Sequence, residues 1–372
     1  MMLFILVILI VVLMAAVLYF YAFRYEPVNF VLSKVNIFLK SEKNKDKGKG
    51  KGQEKEKDSD SYDVKDNYDP ALTILHLSDF HLRKDRKGEK LFKFVKNLGN
   101  LSVDFIFITG DLVEKDKNIE YLIKMLSPLK AKYGKYAIFG VHDYYNKTPA
   151  EFIKNMLKRK RTYKRQNNIL HLISRLSDIG IKVLRNESET IDLKGFSEIK
   201  EVEIIGLDDP IIKKIDIVKA FEGIKKYKRD GENFRDVEDF SEYKLKLSNK
   251  NEYRSKYKKT FILKKEKIHT LNNESTLRLS LIHTPDSSAI IDLAERGVDI
   301  IFGGHTHGGQ VRIPGIGALI SGCRIKTKFA SGLFYFKSFV LYVTRGLGEG
   351  RYSPFRFYCQ PEASLIRMFV EM

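Results

Sequence analysis

Only two cysteines, Cys323 and Cys359, occur in the 372 residues. That excludes a disulfide framework and a cysteine-based zinc site. No lysine or arginine precedes the first apolar run, and no A-x-A-like site follows it, which argues against a cleaved signal peptide. Between residues 41 and 68 the only aliphatic residue is Val64. That stretch lacks the apolar surface needed to offset its ordering entropy. No aromatic–basic recognition motif accompanies the net charge of +19, so nucleic acid is not an expected partner. The basic excess is spread along the chain. It suits an acidic lipid surface, and equally a lysine-rich solvated exterior.

What is present begins with LFILVILIVVLMAAVLYFYAF, residues 3–23, an unbroken apolar run. At about 1.5 Å per residue it spans roughly 30 Å, the thickness of a bilayer core. Tyr19, Phe20, Tyr21, Phe23 and Tyr25 gather at its end, where amphipathic rings favour the membrane interface. Residues 1–25 are therefore expected to be a transmembrane anchor in the cell membrane. Basic residues follow the run and none precede it, which places the rest of the chain on the cytoplasmic face. Residues 26–40 carry apolar side chains near helical spacing and are expected to form an interfacial or linker helix. Residues 41–70 read as a disordered charged linker. The folded domain is then expected over 71–372, with a charged insertion at about 212–270 that includes partial helix around Ile217–Lys226.

From Leu72 the pattern becomes one of short apolar runs ending in polar residues: LTILHLSDFH, VDFIFITGDLV, KYAIFGVHDYY, EVEIIGLDDP, LRLSLIHTPD and VDIIFGGHTHGGQ. Runs of four to six bulky residues bounded by turn signals predict buried strands. Helix-like stretches lie between several of them: KGEKLFKFVKNLG, NIEYLIKMLSPLKAKYG closing on Gly134, and SSAIIDLAERG starting on a serine cap. Two later runs, SFVLYVTRGLG and ASLIRMFVEM, predict closing strands. The alternation implies an α/β domain.

Polar residues collect where the strands end. Asp79 and His81 end one, Asp111 the next, then His142 with Asp143, then His283, then His305 and His307. In open α/β sheets, ligands bind at the carboxyl ends of strands. One histidine in such a place is commonly structural. Five of the eight, joined by aspartates in the same topological position, point to a metal site. Carboxylate and imidazole donors suit Mn, Fe or Zn. Two such ions held by a bridging carboxylate would clamp a phosphoryl group.

The ordered blocks DFH, GDLVE, GVHD, HTPD and GGHTHGGQ resemble the calcineurin-like metallophosphoesterase family. The tail is similar to its membrane-associated bacterial branch, which includes YkuE-like proteins and UDP-diacylglucosamine pyrophosphatases. The resemblance implies a four-layer α-β-β-α sandwich and two divalent metal ions. It implies Asp79, His81 and His307 on the first ion, Asp111 bridging, and His283 and His305 on the second. It further implies His142 near the leaving-group oxygen, Asp143 orienting its imidazole, and a metal-bound hydroxide as nucleophile. The departure is Val141, where the family places an asparagine that ligates the second ion. The expected function is a membrane-anchored hydrolase of a phosphodiester, phosphomonoester or pyrophosphate, with a lipid-linked substrate in view. The alternatives are a catalytically weakened metal- or phosphate-binding scaffold, and a nuclease or cyclic-nucleotide phosphodiesterase.

Overall fold

Four strands show how the sequence assembles the domain: β1 (Val31–Lys40), β2 (Leu72–Leu77), β3 (Phe105–Thr109) and β4 (Gly134–Ile138). Side chains alternate across a strand, so each can serve two cores. Leu72 and Ile74 of β2 and Phe105 and Phe107 of β3 enter one cluster; Leu75, Leu77, Ile106 and Ile108 enter another. The structure, a computed structural model, describes residues 1–40, 69–146, 148–157, 165–193, 199–224, 268–271, 275–350 and 353–371.

The first sheet has seven strands in the order Ile268–Thr270, β1, Glu362–Glu371, β2, β3, β4 and Ile181–Val183. Glu362–Glu371 runs antiparallel to β2; the other neighbours are parallel. The second sheet has six strands in the order Gly332–Tyr335, Val340–Val343, Ile300–Gly303, Thr276–Ile282, Glu201–Gly206 and Glu187–Asp192. Its four central strands are parallel and both edges antiparallel. Leu72, Phe107 and Ile138 of the first sheet meet Ile204, Leu279, Phe302 and Tyr342 of the second in one buried cluster. Each such side chain contributes about 1.5–3 kcal/mol when fully removed from water.

Helices cover both outer faces. The first sheet carries α2 (Arg86–Asn97) and α3 (Ile119–Leu126), with Ile169–Asp178 beside them; α1 (Met2–Phe20) lies apart at the N-terminus. The second sheet carries Ser287–Glu295 through Ala289, Ile290 and Leu293. This is the expected four-layer order. The Asp85 carboxylate caps α2 by accepting from Gly88 N. Asp286, not the expected serine, caps Ser287–Glu295 by accepting from Ser288 N. The helix predicted to run on to Gly134 instead stops at Leu126, because Pro128 lacks an amide and cannot extend it. Among the described residues of the stretch predicted around Ile217–Lys226, Ile217–Ala220 is helical. The stalk at 41–68 and most of the charged insertion lie outside the described residues.

One expectation is overturned. Residues 26–40 are not an interfacial helix: after a short turn at Glu26–Val28 the chain enters β1. All ten of its residues pair with Glu362–Glu371, and Ile37 and Leu39 are fully buried between the sheets. The apolar spacing near helical period also fits a strand, and sheet pairing decided between them. The folded domain therefore includes β1 and begins before residue 41, not at residue 71.

α1 is wholly exposed and, by length and composition, apolar enough to cross a membrane. It widens at Tyr21–Tyr25 and there meets the domain directly. Arg356 N donates to Ala22 O at 3.0 Å, and Cys359 N to the buried carboxylate of Glu26 at 2.7 Å. Tyr21 packs edge-on against Phe357, and Phe23 lies against Phe355.

Candidate metal centre

The C-terminal ends of β2, β3, β4, Thr276–Ile282 and Ile300–Gly303 deliver the predicted residues to one place. Backbone bonds tie the turns together: Asp79 N to Gly110 O, His81 N to Asp111 O, and Gly304 N to His283 O. Asp79, His81, Asp111, His305 and His307 all adopt positive φ, between 41° and 65°. Non-glycine residues hold that conformation only where surrounding structure over-determines it, and such strain gathers at functional sites.

Three donor sets emerge: Asp79 with His81 and His307; His81 with Asp111 and His142; and Asp111 with His283 and His305. Within each set the ligand atoms lie within 4.8 Å of one another. Asp111 belongs to two of them. His81 Nε2 is 3.4 Å and His283 Nε2 3.2 Å from Asp111 Oδ2. His81 Nε2 faces His307 Nε2 at 3.2 Å, and His283 Nε2 faces His305 Nδ1 at 3.3 Å.

The outer nitrogens explain why these inner ones need a cation. His81 Nδ1 donates to Glu114 at 2.8 Å, His283 Nδ1 to Thr109 O at 2.6 Å, and His307 Nδ1 to Gly348 O at 3.2 Å. A neutral imidazole that donates through Nδ1 presents a lone pair at Nε2. The lone pairs of His81 and His307 therefore point at each other, beside an aspartate. Only positive charge reconciles them, and a pinned outer nitrogen is the usual support of a metal-binding histidine. The donor set thus fits divalent ions.

The electrostatics agree. Burial opposes a charge on His81, yet its bond to Glu114 and the charges of Asp111, Glu114 and Asp79 lift its pKa to about 9. Burial likewise opposes a charge on His283, but Asp111 outweighs it and raises the group well above the usual histidine range. Burial and the neighbouring His81 and Arg356 charges push His307 the other way. Asp111 is favoured by burial toward its neutral form but held ionised by His283, His142 and His81.

Asp143 and Glu114 differ from expectation. Asp143 accepts from four backbone amides: Asp111 N and Gly140 N through Oδ2, Leu112 N and Val113 N through Oδ1. It holds the turn that carries Asp111, where it was expected to orient His142. The carboxylate beside His142 is Glu114, with Oε1 3.7 Å from His142 Nδ1 while it also holds His81. Glu114 was visible in the GDLVE block, but its role depends on a contact across the rim that no spacing encodes. His142 keeps part of its side chain open to solvent, as suits a group that meets substrate. Gly140 must lack a side chain, since a Cβ there would lie 2.2 Å from Asp111 Oδ1 and 2.5 Å from His283 Nε2. Val141, next to it, is buried and begins the short turn Val141–Tyr144.

A sequence profile described as calcineurin-like phosphoesterase matches residues 72–309. The chain belongs to that family. It is a hydrolase of phosphoester bonds by family, and the site just described supplies the clustered ligands. The phosphoesterase is 26% identical over 297 residues to the metallophosphoesterase YkoQ of Bacillus subtilis, covering 78% of this chain and 82% of YkoQ. It is 26% identical over 338 residues to the UDP-2,3-diacylglucosamine pyrophosphatase LpxG of Chlamydia trachomatis, covering 81% and 84%. It is also 26% identical over 300 residues to YkuE of Bacillus subtilis, covering 79% and 78%.

Two expected results follow for the phosphoesterase. Glu114→Gln removes the charge that holds His81, so metal affinity should fall about 10–100-fold, the usual effect of an outer-sphere partner. Calorimetric titration with Mn²⁺ reads it, and unchanged affinity would refute the role. Val141→Asn restores the residue type that the family resemblance places on the second ion. It should raise the affinity for a second Mn²⁺ by about tenfold or more. Equal and tight binding of two ions in both forms would refute it.

Proposed function

We propose that the protein is a membrane-tethered, metal-dependent phosphoesterase that cleaves a phosphoester or pyrophosphate bond of a lipid-linked substrate at the bilayer surface. The observation that carries this reading is the direct joint between α1 and the first sheet, whose strands lead into Asp79, His81 and Asp111, through Ala22, Glu26 and β1. LpxG, which covers most of this chain, is named for a substrate with two acyl chains. Basic residues that follow α1, Arg24, Lys34 and Lys40 among them, support a domain on the cytoplasmic side.

Two bound divalent ions would neutralise the phosphoryl oxygens and lower the pKa of an attacking water. The chain's own residues do the rest. Asp79, His81 and His307 form one ligand set, and Asp111, His283 and His305 the other. Asp143 fixes the Asp111 turn through four amides. His142, at the open rim and backed by the Glu114 carboxylate, is placed to hold or give a proton at the leaving oxygen. Asp79 and Asp111 stay buried, so the ligands keep their arrangement when substrate displaces solvent.

The test is hydrolysis by the full chain, reconstituted in vesicles with Mn²⁺. A lipid-linked pyrophosphate should be cleaved in preference to cyclic nucleotides or DNA. Robust cleavage of the latter with none of the lipid would overturn the reading. Val141 favours the scaffold alternative, and absence of hydrolysis of every phosphoester would establish it.

A further inference from the structure

Nine large apolar side chains beyond residue 25 are strongly exposed among the described residues, and five of them fall together: Ile313, Ile316, Leu319, Ile320 and Tyr358. Singly exposed apolar residues are ordinary, but a contiguous cluster marks a contact surface. Four of these lie on or just after a small hairpin in which Arg312–Ile313 pairs with Gly317–Ala318. At its tip Gly315 and Gly317 take positive φ, 77° and 92°, and a Cβ on Gly315 would meet nothing within 4 Å. The apex is thus a tight turn that stands clear of the domain, with Pro314 and Ile316 outward.

The position of this hairpin identifies what covers it. Phe357 N donates to Gln310 O, and Arg312 N to Phe357 O, so the base of the hairpin is stitched to the segment around Phe357. The ring of Phe357 packs against Tyr21, in the aromatic girdle that ends α1. Aromatic girdles sit at headgroup level. The exposed hairpin therefore leaves the domain where the chain emerges from the bilayer. Exposed cations flank both features, Arg24 at the end of α1 and Arg324 and Lys328 after the hairpin. An apolar tip with a basic surround is the composition of an interfacial membrane contact.

We propose that the Ile313–Ile320 hairpin is a second membrane contact, which dips into the acyl boundary of an anionic leaflet beside α1. The inference rests on the tethered reading above and goes beyond it, since a single anchor leaves rotation about its axis unspecified. Two contacts fix the face presented to the lipid. Gln310 N, at the base of the hairpin, donates to His307 O, so the hairpin is bonded directly to a residue of the candidate metal cluster.

The chain has no tryptophan, which gives a direct probe. Ile316→Trp in the full-length protein places a lone indole at the hairpin tip. Leu170→Trp places one on the exposed face of Ile169–Asp178, a helix on the side of the first sheet away from β1. Both are reconstituted into vesicles of phosphatidylcholine with phosphatidylglycerol, with and without lipids brominated along the acyl chain. The expected result is blue-shifted emission that bromine quenches for Ile316→Trp, and unshifted, unquenched emission for Leu170→Trp. Leu319→Trp should behave like Ile316→Trp. Blue-shifted emission that bromine leaves untouched means that protein covers the hairpin, such as a second copy of the chain, and overturns the proposal. Solvent-like emission overturns it too. Because quenching needs no turnover, failure of the lipid-substrate reading leaves this outcome unaffected.

Discussion

Asp111→Asn should lower hydrolysis of an aryl phosphodiester by about 10²–10³-fold or more, the scale of losing one preorganised electrostatic element. Asp111 Oδ2 is the atom that both His81 and His283 approach, at 3.4 and 3.2 Å. Its carboxylate is the point where the two ligand sets join. Asparagine keeps the shape, and its Oδ1 can still accept from His142 N, the 2.9 Å bond that Asp111 makes now. It removes the negative charge that makes a cation welcome between the imidazoles. Metal titration should then show one ion where the parent takes two. Activity within a few-fold of the parent, with two ions retained, would remove Asp111 from the centre of the scheme. The same assay applied to His142→Gln should lower turnover while leaving metal binding intact, which separates a proton-handling residue from a ligand.

The second large effect concerns where the domain starts. A fragment beginning at residue 69 omits β1 and should fail to fold. One beginning at Tyr21 should be soluble and cooperative. β1 pairs along its whole length with Glu362–Glu371 and buries Ile37 and Leu39 between the sheets. Those two side chains alone are worth about 3–6 kcal/mol. A typical domain holds about 5–15 kcal/mol in total. Removing β1 also leaves Glu362–Glu371, an inner strand of ten residues, as a bare edge that can pair with another molecule. Circular dichroism and thermal melts compare the fragments. A native melt for the fragment from residue 69 would show that β1 is dispensable.

How far the sequence carries depends on whether a feature is local. The aspartates and histidines that cluster at strand ends were legible because each turn carries its own signal, such as D-x-H or G-H-x-H. The α/β alternation was legible because apolar runs and helical faces repeat over short distances. β1 was not, because its partner Glu362–Glu371 lies more than 300 residues away and its apolar spacing suits helix or strand. Asp143 was misjudged for a related reason. Adjacency to His142 in sequence suggested contact, while the turn aimed its carboxylate back at the amides of Asp111, Leu112 and Val113. Glu114 had the right residue type in a quoted block, but its use depends on how β2, β3 and β4 bring His81 and His142 together.

On the tethered reading, the order of α1, β1 and residues 41–68 along the chain has a consequence for reach. A flexible run the length of residues 41–68, placed between membrane and domain, would let the site roam over about 30 Å. Here residues 41–68 fall in sequence between β1 and β2, so the path from α1 to the metal-site residues does not run through them. The site instead rides on Glu26, Ala22 and Arg356, whose buried guanidinium donates to the carbonyls of Arg345 and Gly346 and toward His307 O. On the tethered reading proposed above, such an enzyme would work at fixed altitude. It would meet substrates by lateral diffusion in two dimensions, and a phosphate held further from the bilayer than that altitude would pass overhead uncut.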